Sequence, residues 1–154
     1  MMASYDYLSL QATFANLVSE QLGMILIELN TNGKQLPNDF IAFDIISPYI
    51  TIDVDILEQE TFESIVSFTA YSRDKIKALN TAQKLRKTLS AFIVRENLRT
   101  KDIIVVDIMN TQSRAVVETD MYAYMVGFDT RLRLRETFVD DTIQTVKTIE
   151  VKEN

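Results

Sequence analysis

The sequence predicts an α+β fold, a mainly antiparallel β-sheet with two helices packed on one face. Three observations predict it. Two stretches repeat their apolar residues at the three-to-four spacing of a helix, several others read as strands of alternating or β-branched residues, and most strand neighbours are joined by hairpin-like connections. A chain of 154 residues, 47% hydrophobic and 25% charged, suits one domain spanning residues 1–154 with its own core. Its 3 Gly and 2 Pro leave no composition for a flexible linker or a disordered arm.

From Tyr7 to about Leu22, Leu10, Phe14, Leu17 and Val18 form a helical stripe, with Asp6 or Ser4 as the cap and Gly23 as the stop. Met24–Leu29 reads as a short strand. Asn30 to Asp39, with Gly33 and Pro37 inside it, supplies the breakers of an exposed loop. Phe40–Ser47 reads as a strand interrupted by Asp44, and Pro48 is expected to bend the path before Tyr49–Ile52. Asp53 to Gln59 is an acidic connection.

Phe62–Tyr71 alternates, with Phe62, Val66, Phe68 and Ala70 on the core parity and Glu63, Ser67 and Thr69 on the other. At Arg73 the period becomes helical, with Ser72 as cap and a core stripe of Ile76, Leu79, Ala82, Leu85, Leu89, Phe92 and Ile93. The β-branched run Ile103–Met109 predicts a strand covered on both faces, and Asn110–Arg114 predicts a turn. From Tyr122 to Leu134, Tyr122, Tyr124, Val126, Phe128, Leu132 and Leu134 face the core, while Asp129, Arg131, Arg133 and Arg135 face the other way. Ile143–Val151, in the terminal segment 143–154, reads as an edge strand or as an arm contacting a neighbour. The expected order is α-β-β-β-α-β-β-β, without parallel βαβ units and without internal repeats.

Histidine and cysteine are both absent, which removes the commonest general base, the usual zinc ligands, disulfides and Ser-His or Cys-His nucleophile pairs. Three scattered glycines cannot build a phosphate-cradling loop. Carboxylate chemistry survives: Asp53, Asp55, Glu58 and Glu60 are the residue types that hold Ca²⁺ or Mg²⁺ or act as an acid–base pair. Their spacing lacks the glycine and terminal glutamate of a calcium loop, so the plain reading is a solvated connection. Neither a cofactor nor catalysis is expected. A charge of -6 and a pI near 4.7 argue against a protein that grips nucleic acid. Asp6 stands where a signal peptide carries a basic residue, and no apolar run nears the ~20 residues of a membrane span, so neither export nor a membrane partner is expected. The stripe of Arg131, Arg133 and Arg135 beside Asp129 has two readings, the wet face of a half-exposed sheet or a surface that meets an acidic partner. With Arg114, these residues are the candidate assembly contacts.

Four segments carry a resemblance to a known family: Ser67–Ser72 leading into Ala82–Arg86; Ile103–Ile108; Asn110–Arg114; and Tyr124–Arg133. Thr148–Glu150 is similar as well, and Phe43–Pro48 more weakly. Together they resemble the phage neck or tail terminator proteins over roughly two-thirds of the chain. The resemblance implies a structural virion protein that caps the completed tail tube as a homohexameric ring, stops its polymerisation and forms the interface for head joining. The partners implied are further copies of itself, the tail tube protein and a head-completion, stopper or connector protein, with DNA passing through the lumen without specific binding. The place implied is the tail or neck of the virion, with assembly in the host cytoplasm. Another neck component, such as a head-tail joining or tube-like subunit, is the alternative, and a carboxylate-dependent metal- or ligand-binding module the more distant one.

Overall fold

The computed structural model describes residues 4–28, 39–52, 61–118 and 121–136. Helix α1 (Tyr7–Leu22) begins where the Asp6 carboxylate accepts the Leu8 N–H at 3.0 Å. It ends at Gly23, whose φ of 65° is the left-handed region that glycine enters without a Cβ penalty. There follow β1 (Leu26–Glu28), β2 (Phe40–Thr51), β3 (Thr61–Ser72), α2 (Lys75–Ser90), α3 (Phe92–Arg99), β4 (Ile103–Ile108), β5 (Gln112–Glu118) and β6 (Met121–Arg135).

The six strands form one sheet in the order β1-β2-β3-β6-β4, with β5 also on β6. All neighbours are antiparallel except β1 and β2, a short parallel pair at the edge. The mainly antiparallel α+β fold expected from the sequence is therefore the one observed. One crossover exists as well: β3 and β4 both run antiparallel to β6, so α2 and α3 link two parallel strands that straddle it. The core lies between the sheet and the helices. There Phe14 of α1 meets Phe43 and Phe68, and Phe68 meets Phe128, with ring centroids 5.2–6.0 Å apart.

Several elements depart from expectation, each for a physical reason. The single helix expected after Arg73 is two helices, because Ala91 is extended (φ -69°, ψ 136°) and turns the chain. Its buried stripe is Ala78, Ala82, Leu85 and Leu89, continued by Val94 and Leu98, whereas Ile76, Leu79, Phe92 and Ile93 are exposed. Small residues win the inner face of α2 because it packs closely against Ala70 and Val126. The cap is Asp74, which accepts the Ile76 N–H, while the Ser72 hydroxyl accepts the N–H of Asp74. Pro48 does not end β2. The strand continues through it with shifts of register on either side of Ser47, an irregularity that tolerates a residue without an N–H. β4 is covered on one face only: Ile103 and Val105 are buried, Ile104 and Val106 exposed. Asn110–Arg114 is not a turn, since Met109 N–H still bonds Asp129 O at 2.8 Å and strand pairing resumes at Gln112. The loop over residues 30–38, the acidic connection at 53–59 with Asp53, Asp55 and Glu58, the adjoining Glu60, and the run at 143–151 lie outside the described residues.

Candidate functional site

The sheet face away from the helices gathers the candidate residues. β6 sends Asp129, Arg131, Arg133 and Arg135 to this side, opposite the buried Phe128, Thr130, Leu132 and Leu134. The register places Ser67 of β3 beside Asp129, Ile65 beside Arg131 and Glu63 beside Arg133. Cross-strand neighbours on one face of a sheet interact directly, and here they form ion pairs.

Arg131 and Arg133 both reach Glu63, at 3.4 and 3.0 Å, one to each carboxylate oxygen. The Glu63 side chain is only 10% exposed, against 42% and 43% for the two arginines. Arg114 of β5 donates to the Ser67 hydroxyl at 3.1 Å and to Asp129 at 3.3 Å. Arg135 lies 3.9 Å from Asp102, an exposed and loose pairing. The polar parity of β3 is thus buried too: Glu63 and Ser67 are held by arginines, and Thr69 lies opposite Gly127. The structure brings Arg114 and Asp129 together, and Arg131 with Arg133, and leaves Arg135 apart at the end of the strand.

One residue escaped sequence reasoning. Arg86 crosses from α2 to the passage between β4 and β5, donating to the carbonyls of Met109 at 2.5 Å and Ile108 at 3.2 Å and to the Thr111 hydroxyl at 3.3 Å. Its guanidinium lies 5.8 Å from the centroid of the Phe128 ring. The signal for it was an arginine next to buried Leu85, where a wholly solvated side would offer a long cation nothing to bond.

Gly127 completes the site. It pairs with Thr69, and a Cβ there would run into the Phe68 carbonyl oxygen and approach Thr69 Oγ1 and Cα to 2.8 and 2.9 Å. The segments that resemble one another across a known family thereby converge: Ser67–Ser72 and Tyr124–Arg133 are paired strands, Arg114 ties Asn110–Arg114 to both, and Arg86 ties α2 to the end of Ile103–Ile108.

The model of the family described as phage neck terminator protein matches residues 9–154. The chain belongs to this family. A phage neck terminator is a structural protein of the virion, located at the neck where tail and head components assemble. No curated protein matches the chain. Among the described residues no helix is long and apolar enough to cross a membrane, and no three carboxylates are placed to hold a metal ion.

Proposed function

We infer that this neck terminator closes as a homohexameric ring on the head-proximal end of a finished tail tube. There it stops addition of tube subunits and presents its outer surface to the head-completion proteins. Family membership along residues 9–154 is the observation that carries this reading. The charge supports it: a chain at -6 around a DNA conduit repels the duplex and lets it slide, where a basic lining would hold it. A ring also requires two different complementary surfaces on each subunit, since a head-to-tail contact must repeat until it closes.

The deciding experiment is electron microscopy of the purified protein, alone and mixed with tail tubes. Sixfold particles on one end of each tube are expected. Phage lacking the protein should produce tails of uncontrolled length or tails that fail to join heads. Tails of normal length and normal joining in its absence would overturn the reading.

A further inference from the structure

The two ends of the sheet are built differently. At one end β2 is a poor edge for another strand: β1 already occupies its start, the register shifts on either side of Ser47, and Pro48 has no N–H to give. At the other end β4 carries none of these guards except one register shift between Val105 and Asp107. Among the described residues β4 pairs with β6 alone, so its outer edge turns backbone N–H and C=O groups to no other strand. Ile103, Ile104, Val105 and Val106 follow one another there with no Lys, Gly or Pro. Ile103 and Val105 are buried on the helix side, while Ile104 and Val106 are 39% and 42% exposed on the other. Both faces are therefore apolar, which suits a strand inside a sheet and not one at its margin.

The chain itself holds a segment of matching character. In Ile143–Val151 six of the nine residues are Ile, Val or Thr, and none is Gly or Pro. Ile143, Ile149 and Val151 share one parity, fit to extend the face of buried Ile103 and Val105. Gln144, Val146 and Thr148 share the other parity, fit to stand beside Ile104 and Val106. The route favours a neighbour's β4 over the chain's own. The Glu136 carboxylate, just past β6, accepts from the Tyr5 N–H at 3.3 Å and from the hydroxyl of Tyr49, a residue of β2, at 3.4 Å. The chain thus leaves β6 tied toward the β2 end of the sheet, and would have to double back over β6 to reach its own β4. Residues 137–154, extended at about 3.3 Å each, span about 60 Å, against about 40 Å for the width of a domain of this size. That length reaches the next copy.

We propose that residues 143–151 of one copy add a strand to the outer edge of β4 in the next copy. Backbone hydrogen bonds hold the arm, and alternate side chains continue the two apolar faces of β4. The surface that gives and the surface that receives are different, so the contact repeats head to tail, as a closing ring requires. This rests on the ring reading above and deepens it by naming the segment and the edge that meet.

The chain has no cysteine, so introduced thiols report one contact at a time. One variant of the full chain carries Ile104→Cys, at an exposed position, and three others carry Val146→Cys, Lys147→Cys or Thr148→Cys. When each of the three is mixed with the Ile104→Cys variant on tail tubes and oxidised, at least one pair should cross-link, since paired strands bring Cα atoms within the ~4.4–6.8 Å that a disulfide spans. A chain carrying both substitutions of that pair should give a ladder of linked copies on tubes. Val146→Pro with Thr148→Pro should leave Tm unchanged yet abolish the cross-link and weaken ring formation ~10-fold or more. Doubly substituted chains linked only within themselves put the arm on its own β4, and linkage that stops at two copies means a reciprocal exchange; either result overturns the proposal. Proline variants that form rings as the wild type does, or rings in which no pair cross-links, overturn it too, while the wild-type ring and the terminator reading stand. A wild type that forms no ring on tubes overturns both.

Discussion

Replacing Arg86 by Leu removes a cation whose work is internal. The side chain donates to two carbonyls and a hydroxyl at the point where the edge of the sheet passes from β4 to β5. A hydrogen bond from a charged donor contributes ~1.5–3 kcal/mol. Both carbonyls belong to half-buried residues, so water replaces part of what is lost, and ~2 kcal/mol is the expected share of the polar contacts. The contact with the Phe128 ring adds ~0.5 kcal/mol. For a chain of this size each kcal/mol moves Tm by ~2–4 °C, so Arg86→Leu should melt ~5–10 °C below the wild type. Urea unfolding should show a lower midpoint with an unchanged slope, as expected when a contact is lost from a fold that keeps its buried surface. Arg86→Lys keeps the charge but not the fork of donors, and should recover less than half of the loss. If Arg86→Leu unfolds within ~0.5 kcal/mol of the wild type, the side chain is not the bond that holds helix to sheet edge.

Gly127→Ala should cost ~2 kcal/mol or more in denaturant unfolding, because the new methyl meets backbone of β3, which cannot move without breaking the central ladder. Glu63→Gln should cost ~1–2 kcal/mol, less than a fully buried ion pair would lose because both arginines are partly solvated; a double-mutant cycle with Arg133→Gln should show the two sites coupled. Burial, followed by the nearby Tyr7, Asp6 and Asp102, pushes the Tyr5 phenol from 10.0 up to about 12. Its ionised form is disfavoured in the folded state, so its contribution is intact below pH 10 and lost as pH rises through that window to about 12. Tyr5→Phe keeps the edge-on contact with Phe62 and should flatten the fall in stability over that window, measured by urea midpoints at successive pH values.

The α1 boundaries, the strands around Phe68 and Phe128, and the arginine face of β6 could be read from the chain because each depends on a local period or a local cap. What could not be read depends on partners far along the sequence. The inner face of α2 follows from Ala70 and Val126, and no periodicity within α2 ranks Ala78 above Ile76. Glu63 becomes the shared partner of two arginines only once β3 and β6 are in register. β4 has the composition of a central strand but lies at an end of the sheet, and composition does not report position. Asn110 and Thr111 have turn chemistry, yet β6 is long enough to hold β4 and β5 in succession along one side, so the chain steps and does not reverse.

That same length gives β6 a mechanical character. Its residues from Tyr124 to Arg135 are bonded to β3 on one side, while β4 and β5 divide the other side between them. A force along the strand loads these interstrand bonds together in shear, whereas a force across the sheet peels them apart one after another. The subunit is therefore stiffest along a single direction, the long axis of its longest strand, and yields most readily at right angles to it within the plane of the sheet.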